Sequence, residues 1–382
     1  MKKRATAVIG ANYGDEGKGL ITDWLVSRQP KGSKTVVARF NGGAQAGHTV
    51  QTPEGKRHVF HHFGSGTLLG ADTFLAKHFV LNPILWYKEM IELHKLTGAW
   101  PGGDVAADPR CYVTTPYDMI INQVLEDSRD TLRHGSCGVG FGETIERNRF
   151  PAFRLSHQDL LGGTRVANKL HIIRDRWLPR RLQKLGIRPI AKDDPRLDNR
   201  LLKRTADTFA AFAEMVEVAG AEFLRSKNVI FEGAQGLALD MDGPDFPHVT
   251  RSNTGLTNVV TLAKLLRLDL DVIYVTRTYF TRHGAGPLPK EFVPSVPITD
   301  QTNVDHPYQG SIRFGAFDTS AMKERVSKDL MLAPKAKASI AVTCCDQMPV
   351  EKIRGWLEKI CPVRLASYGP SRNDIKELEL VA

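Results

Sequence analysis

The first residues in the sequence that could do chemistry lie in a glycine-rich segment, GANYGDEGKG, at positions 10–19. Its glycines let backbone N–H groups approach phosphate closely, and Lys18 adds a positive charge beside them. The segment departs from the standard P-loop, which has serine or threonine in the place of Gly19. The carboxylates of Asp15 and Glu16 would repel phosphate unless Mg²⁺ lies between them or one of them removes a proton. We therefore predict a phosphate loop with a catalytic or metal-binding acid.

A second cluster, NGGAQAGHT at positions 41–49, follows the apolar run TVVARF. Its glycines would let backbone carbonyls face a metal or ligand, while the imidazole of His48 protonates or stabilises a phosphoryl oxygen. Ligands bind at the carboxyl ends of strands in open α/β sheets, so we interpret His48 as functional. His58, His61 and His62 lie in a strand-like stretch and are assigned to packing and surface roles.

Two further glycine-rich loops extend this pattern. GSCGVGFGE at positions 135–143 is a candidate anion-binding loop, and FEGAQGLALD at positions 231–240 presents Gln235 to hydrogen-bond a base edge. The next segment contains Thr250, whose hydroxyl suits a phosphate. Each loop alone is weak support, because such loops are commonly only turns. Four of them in one anion-attracting chain predict two phosphorylated ligands.

The elements that must position these loops alternate between strand and helix patterns. Apolar β-type runs lie at positions 5–9, 35–40, 228–233, 271–279 and 339–345, and helical patterns lie at positions 20–28, Thr205–Leu224 and Thr319–Leu332. Such alternation is typical of a mostly parallel sheet flanked by helices on both faces. No repeat or linker divides the chain, so we predict a single elaborated α/β domain over residues 1–382 with a P-loop-like phosphate loop.

Composition narrows the class of protein. The 382 residues carry 52 Lys and Arg against 42 Asp and Glu, an excess of positive charge that attracts anions such as nucleotides. Five cysteines without a CxxC pair indicate a reducing cytoplasm, and no apolar run approaches the ~18 residues of a membrane span. The basic stretch 174–204 contains three prolines and several acids, so we interpret it as an irregular surface segment. A nucleic-acid face is the alternative, and we expect no nucleic-acid partner.

Five motifs carry a resemblance to a known family: GDEGKG, QAGHT, EGAQG, HVTRSNT and TRHGAGPLP, at positions 14–19, 45–49, 232–236, 248–254 and 281–289. Their order and spacing resemble those of adenylosuccinate synthetases. SYGPSRND near the C-terminus resembles the base-contacting turn of that family. The chain is shorter than the usual bacterial enzyme, and positions 150–225 and 290–310 have no recognisable counterpart.

The resemblance implies an α/β homodimer that condenses IMP with L-aspartate, driven by GTP hydrolysis and Mg²⁺. Asp15 would remove the N1 proton of IMP and ligate Mg²⁺ together with the carbonyl of Gly47. His48 would stabilise the transferring phosphoryl group, and Gln235 would face the purine 6-oxygen.

The remaining binding residues are also implied only by the resemblance. The nucleoside triphosphate would contact Gly14, Asp15, Glu16, Gly17, Lys18, Gly19, Asp346, Ser367 and Gly369. The purine monophosphate would contact Gln45, Ala46, Gly47, His48, Cys137, Gln235 and Thr250. Aspartate would contact Arg313.

Several positions depart from the family pattern. Gln45 occupies the position of an asparagine in the family, and Ser136-Cys137 occupies the position of two threonines. Cys344-Cys345-Asp346 replaces the guanine-reading Lys-x-Asp motif. Asp346 can still accept from guanine N1 and N2, so we expect GTP to be preferred over ATP, by a reduced margin.

The arginine-rich loop of the family departs most. Where the family has four arginines, this chain has GSIR, so only Arg313 remains. One arginine forms a bidentate pair with one carboxylate, whereas aspartate has two carboxylates. Arg282, Lys290 or a shifted loop would have to compensate. The arginine that reaches the neighbouring subunit in the family is either Arg147 or Arg149 here.

Three functions therefore compete. The first is adenylosuccinate synthesis from IMP. The second is the related reaction of short phage enzymes that condense dGMP with aspartate using ATP; these tend to have serine where this chain has Asp15, which favours the IMP reaction. The third is a nucleotide-binding protein that has lost ligase activity together with its arginines.

Overall fold

A computed structural model describes residues 3–130, 133–294, 298 and 308–379. Its strands are β1 Arg4–Gly10, β2 Thr35–Arg39, β3 His48–Gln51, β4 Arg57–Phe60, β5 Asp72–Leu75, β6 Val105–Ala107, β7 Glu217–Val218, β8 Asn228–Gly236, β9 Asp269–Arg277, β10 Phe280–Arg282, β11 Glu291–Phe292, β12 Arg313–Gly315, β13 Lys337–Thr343, β14 Val363–Ser367 and β15 Ile375–Glu377. Its α-helices are α1 Lys18–Ser27, α2 Pro83–Thr97, α3 Pro116–Arg129, α4 Phe141–Asn148, α5 Thr164–Ile172, α6 Leu178–Lys184, α7 Asn199–Met215, α8 Thr257–Leu266, α9 Thr319–Leu330 and α10 Glu351–Leu357.

One sheet dominates the fold. Its strand order is β15-β14-β13-β9-β1-β8-β2-β5-β6-β7, and its neighbouring strands are parallel except for the antiparallel pair β14 and β15. Two small antiparallel sheets, β10-β12-β11 and the hairpin β3-β4, lie outside it. The predicted α/β class with a mostly parallel sheet is confirmed.

The sheet is buried on both faces because its strands are apolar at successive positions. In β1, Ala7 and Ile9 belong to one apolar cluster, while Val8 belongs to a second cluster with Leu20 and Ile21 of α1. Strand side chains alternate between faces, so β1 packs against helices on both sides. A third cluster lies farther from β1 and is formed largely by α2, α3 and α5 to α7.

Most predicted elements are confirmed, with corrections at their ends. The helix predicted over Thr205–Leu224 is wrong beyond Met215: α7 is followed by the edge strand β7 and a short 3-10 turn at Ala221–Leu224. The strand predicted over 339–345 ends two residues early, because Cys344 adopts a left-handed backbone with φ 60°. Such a conformation departs from regular strand geometry, and the pairing of β13 with β9 ends at Thr343, just before it.

The basic stretch 174–204 is more regular than we predicted. It contains most of the π-helical segment Ile173–Trp177, the whole of helix α6 and the start of α7. Pro179 lies in the first turn of α6, where a missing N–H costs little, so it does not interrupt that helix. Arg181 is buried and donates to Glu143 at 2.7 Å. In the described part of the chain, no helix is long and apolar enough to cross a membrane.

The three histidines that follow the second glycine loop have the predicted packing role. His58 and His62 are buried, and the Nδ1 atom of His62 lies 3.2 Å from the carboxylate of Glu89. The backbone N–H groups of His61 and His62 also donate to Glu89, at 2.9 and 2.8 Å. Glu89 thereby fixes the end of β4 against α2.

Arg147 anchors α4 inside the protein. Its guanidinium is fully buried and forms a bidentate pair with Asp118 at 2.9 and 3.0 Å. It also donates to the carbonyls of Phe153 and Val113, at 2.6 and 2.7 Å. A side chain held in this way cannot reach a neighbouring subunit, so Arg147 is excluded as the intersubunit arginine.

We expect Arg147→Met to lower the free energy of unfolding by about 3–5 kcal/mol, because the Asp118 carboxylate would stay buried without its cation. Urea denaturation measures this change. The matched control is Arg149→Met: the Arg149 side chain is 73% exposed and pairs with Glu146 at 3.3 Å, so we expect a loss below ~1 kcal/mol. Equal losses in the two variants would contradict the anchoring role.

Candidate active site

The phosphate loop is the turn between β1 and α1. Gly17 precedes α1 in a left-handed conformation with φ 84°, and no side chain caps the helix. The N-terminal amides of α1 are therefore available to an anion, which the helix dipole also favours. Gly10 has no room for a side chain: a Cβ there would lie 2.1 Å from Glu16 Oε2 and 2.4 Å from the carbonyl oxygen of Gln235.

The two acids of this loop have different environments. Glu16 is buried: its Oε1 accepts from the backbone N–H of Asn12 at 2.6 Å, and its Oε2 lies 3.8 Å from Lys18 Nζ. Burial raises the pKa of Glu16 to about 7 and lowers the pKa of Lys18. Glu16 thus braces the loop from within. Asp15 is only half-buried, so its carboxylate remains accessible.

Asp15 is held by residues from the end of β9 and the loop after β10. Its backbone adopts a positive φ of 55°, and its carbonyl accepts from Arg277 Nε. Its carboxylate oxygen Oδ2 lies 3.5 Å from His283 Nε2. Sequence reasoning did not single out Arg277 or His283, although TRHGAGPLP was recognised as a motif.

The second glycine loop is locked to the end of β8. The side chain of Asn41 and the backbone of Ala234 exchange two hydrogen bonds, at 2.8 and 3.1 Å. Gly42 lies so close to Ala234 that a Cβ at Gly42 would approach the Ala234 Cβ to 2.5 Å. Because β2 and β8 are neighbours, the loops after them meet at the same edge of the sheet.

His48 is oriented by a buried carboxylate. Its Nδ1 lies 2.7 Å from Glu232 Oε1, and its buried Nε2 has no hydrogen-bond partner within the described ranges. Glu232 also accepts from the backbone N–H and the hydroxyl of Ser65, and Arg39 Nε lies 3.9 Å away. An ionised carboxylate only accepts, so the proton of the imidazole is assigned to Nδ1.

The protonation state of His48 follows from this environment. Burial, assisted by the charge of Arg39, lowers the pKa of His48 to about 4, so the imidazole is neutral at pH 7. Its bare Nε2 is then an acceptor. To donate to a phosphoryl oxygen, as the resemblance implies, Nε2 must first take up a proton, which an approaching anion favours.

Gln235 and Gln45 present buried amide atoms that lack partners among the described residues. These atoms are Oε1 of Gln235 and both amide atoms of Gln45. Gln235 has a positive φ of 62° and lies in the part of β8 where the register with β1 is irregular. This irregularity redirects its side chain. Buried polar groups are normally satisfied, so these amides indicate a ligand.

The predicted magnesium ligands suit a site shared with phosphate. Asp15 offers a half-buried carboxylate, and Gly47 lies exposed just before His48 with its backbone carbonyl. Among the described residues, no three His, Cys, Asp or Glu side chains form a metal cluster. Mg²⁺ commonly takes only one or two protein oxygens and completes its shell with phosphates and water, so two oxygen ligands are sufficient.

The predicted monophosphate residues come from two more loops. The loop with Cys137 meets the loop after β10: a Cβ at Gly135 would lie 2.5 Å from the Cα of Gly284. Burial raises the pKa of the Cys137 thiol to about 11, so it is uncharged. Thr250 is buried, and nearby Ser252 accepts from the backbone N–H of Gly42 at 3.3 Å, which joins this segment to the second glycine loop.

The predicted base-reading residues lie at the ends of β13 and β14. Asp346 is exposed, and the backbone N–H of Cys345 donates to the carbonyl of Ser367 at 2.9 Å. The Ser367 hydroxyl donates to the carbonyl of Gly369 at 2.6 Å. The turn with Asp346 and the SYGP turn are therefore neighbours.

Arg313 is engaged within the protein. It forms a bidentate pair with Glu291, at 2.8 and 2.5 Å. It also donates to the carbonyls of Gly284 and Gly286, at 3.0 and 2.9 Å. Its role in binding aspartate stays a prediction.

A model of the family described as "Adenylosuccinate synthetase" matches residues 7–329, more than half of the chain. The chain belongs to the adenylosuccinate synthetase family. The adenylosuccinate synthetase of Saccharophagus degradans is 33% identical over 286 residues, which cover 74% of this chain and 64% of that protein. The one of Picrophilus torridus is 31% identical over 287 residues, which cover 75% of this chain and 65% of that protein. The chain thus spans slightly less than two thirds of these relatives.

Two solved structures share the fold. Adenylosuccinate synthetase from Plasmodium falciparum aligns with a TM-score of 0.73 at 17% identity, covering 98% of this chain and all of that one. Succinoaminodeoxyadenylate synthetase of cyanophage S-2L, bound to dGMP and dATP, aligns with a TM-score of 0.65 at 15% identity, covering 99% of this chain and 96% of that one. At these identities, the likeness concerns the fold alone.

We expect His48 to be neutral at pH 7 with its proton on Nδ1, because it donates to the Glu232 carboxylate in a buried site. Histidine nitrogen chemical shifts, assigned with a His48→Asn variant, measure both the tautomer and the protonation midpoint, which should be about 4. A proton on Nε2, or a midpoint at the ordinary histidine value, would contradict the orienting role of Glu232.

Proposed function

We propose that this protein condenses IMP with L-aspartate, driven by GTP hydrolysis, to give adenylosuccinate. The observation that carries the proposal is the convergence of Asp15, His48 and Gln235. Asp15 is an accessible acid in a phosphate loop that approaches the other two residues: a Cβ at Gly14 would lie 3.5 Å from Gln235 Cα, and a Cβ at Gly19 would lie 3.1 Å from His48 Cβ. His48 is oriented by Glu232, and the buried Oε1 of Gln235 has no hydrogen-bond partner among the described residues. Removal of the purine N1 proton requires a base, transfer of a phosphoryl group requires a residue that stabilises its oxygens, and recognition of a purine edge requires a hydrogen-bonding amide.

The reaction assigns one chemical task to each group. The 6-oxo group of a purine is a poor leaving group, so it must first be phosphorylated. Asp15 removes the N1 proton, the resulting 6-oxyanion attacks the γ-phosphorus, and GDP leaves. The amine of aspartate then attacks C6 and displaces phosphate. His48 faces the phosphoryl group that is transferred. A polar side chain already fixed in position stabilises the charge on that phosphoryl group without having to reorient.

We propose that Mg²⁺ is held by the Asp15 carboxylate and the Gly47 carbonyl. Bound there, the ion would supply positive charge to the phosphoryl oxygens of the triphosphate. Lys18 and the amides at the start of α1 would hold the remaining phosphate charge.

A second candidate is the condensation of (d)GMP with aspartate driven by ATP. One sequence feature favours it: the guanine-reading lysine is replaced by Cys344, which weakens the preference for GTP. The cyanophage protein of similar fold is bound to dGMP and dATP. Asp15 favours the IMP reaction instead, because it matches the family motif.

A substrate matrix tests the proposal. Purified protein with Mg²⁺ and aspartate is given IMP, GMP or dGMP, each combined with GTP or ATP, and phosphate release and the succino-nucleotide are measured. We expect aspartate-dependent product with IMP and GTP. Product only from dGMP or GMP would establish the second candidate, and no aspartate-dependent product in any combination would indicate a nucleotide-binding protein without ligase activity.

We expect Asp15→Asn to abolish turnover while nucleotide binding is largely retained. The substitution removes the base and a metal ligand but leaves the loop amides. Turnover and nucleotide affinity are measured on the same samples. Asp193→Asn, at an exposed surface position, is the control and should be fully active. Normal turnover of Asp15→Asn would remove Asp15 from the mechanism.

We expect GTP to support turnover better than ATP, by less than the ~10⁴-fold that a fully enclosed polar site can reach. Asp346 would accept from the two donors of guanine, but it is exposed, and Cys344 replaces the lysine of the family motif. Asp346→Asn should narrow the ratio of kcat/KM for GTP and ATP. A wild-type preference for ATP would mean that Asp346 does not read guanine.

We also propose a cytoplasmic homodimer in which each chain forms one domain. The ten-stranded sheet contains both the first strand, β1, and the last, β15, which supports a single domain. Arg149 remains the candidate for the intersubunit arginine, because its side chain is 73% exposed whereas that of Arg147 is buried. Light scattering should give twice the chain mass, and a fully active monomer would rule this assembly out.

A further inference from the structure

Arg282, Arg313 and Arg325 lie near the loop between β10 and β11 and the adjoining phosphate loop, and they differ in what neutralises them. Arg282 Nη1 lies 3.5 Å from Asp245, and Arg282 also donates to the carbonyls of Pro287 and His248, at 2.9 and 2.6 Å. Arg313 has the carboxylate of Glu291 at 2.5 Å. For Arg325, no Asp or Glu oxygen of the described chain lies within ion-pair distance.

Among the described residues, Arg325 is hydrogen-bonded only to neutral oxygens. Its Nη2 donates to Asn12 Oδ1 at 2.7 Å, and its Nε donates weakly to the carbonyl of Ala11 at 3.4 Å. The guanidinium carbon lies 5.8 Å from the ring centre of Tyr13 and 5.9 Å from that of Phe280. Two of its five N–H donors are therefore used, and the others have no acceptor in the described part of the chain.

This environment is costly without an anion. Arg325 is half-buried, and burial lowers its pKa, which reflects the desolvation of its charge. A partly buried charge without a counter-ion destabilises a protein unless another group compensates it. A ligand with a negative charge is such a group.

The position of Arg325 is fixed by the helix that carries it. Helix α9 begins after Asp318, whose side chain accepts from the backbone N–H of Ala321 at 3.1 Å. Met322 and Val326 are fully buried in the core on either side of Arg325 in sequence. The rigid helix thus holds the guanidinium at the phosphate loop, next to Tyr13. Tyr13 precedes Asp15 by two residues in that loop.

Resting on the proposed function, we propose that Arg325 binds one carboxylate of L-aspartate. A guanidinium matches a carboxylate with two parallel hydrogen bonds. The phosphates of the nucleotides already have the amides of α1 and Lys18, whereas aspartate has two carboxylates and the predicted Arg313 is occupied by Glu291. Arg325 would supply the cation that the shortened arginine run lacks.

The test separates aspartate from the nucleotides. We expect Arg325→Met to raise the KM for aspartate by about 10²-fold, the effect of removing one partner of a partly buried charged pair, while the KM values of the two nucleotides stay unchanged. Arg325→Lys should give an intermediate KM, because lysine keeps the charge but loses the paired donors. Lys328→Met, at an exposed position of the same helix, is the control and should match the wild-type protein.

Binding of succinate extends the test to conditions without turnover. Succinate keeps both carboxylates but has no amine to react. Its affinity for the protein with purine monophosphate, triphosphate and Mg²⁺ should fall in Arg325→Met by the same factor as the KM for aspartate. Thermal unfolding of each variant confirms that it is folded.

Two results would overturn the inference. If Arg325→Met raises the nucleotide KM values instead, its guanidinium binds phosphate or supports the loop through Asn12. If aspartate kinetics and succinate affinity are unchanged in both variants, Arg325 does not contact the dicarboxylate. Failure of the proposed function is seen separately, as a wild-type protein that binds succinate normally but makes no succino-nucleotide.

Discussion

The buried carboxylate of Glu232 is the interaction on which the rest of the site depends. Burial alone would raise its pKa, but the hydrogen bond from His48, the charge of Arg39 and the hydroxyl of Ser65 together lower it to about 2. A buried carboxylate of this kind is retained only when every side of it is satisfied. Its partners come from β2, from the start of β3 and from the turn before β5. Glu232 therefore fixes three segments and the imidazole at once.

The sheet topology explains why these segments meet. Strands β1, β8 and β2 are adjacent and parallel, so the loops that follow them emerge at one edge. The amide exchange between Asn41 and Ala234 and the close contact of Gly10 with Gln235 then bring those loops into contact. The left-handed turn at Gly17 leaves the start of α1 uncapped beside them. The loops predicted to bind phosphate and purine thus share a single rigid support.

Charge in the surrounding loops is distributed unevenly. Arg147, Arg282 and Arg313 are each paired with an acid, which makes them structural supports of their loops. Arg325 is hydrogen-bonded, within the described residues, only to an amide oxygen and a backbone carbonyl. This difference matters because a cation that already pairs with an acid must release that acid before it can bind a substrate. Arg325 has no such acid among the described residues to release.

The sequence by itself determined the fold class and the chemical groups of the site. Alternating apolar runs indicated β1, β2, β8, β9 and β13, because a strand buried on both faces must be apolar throughout. Glycine-rich loops after those strands indicated where anions bind, and their motifs indicated the family. These signals are local, so a single chain displays them without any knowledge of how distant segments pack.

Only the tertiary structure decided which charges are available. Arg147 and Arg149 look alike in sequence, but the first is buried against Asp118 and the second is exposed. Nothing near Arg325 in the sequence places it against Asn12, which is 313 residues away. The helix predicted to continue through Leu224 ends at Met215, where the chain turns into an edge strand. Pairing and desolvation depend on long-range contacts, so local patterns could not reveal them.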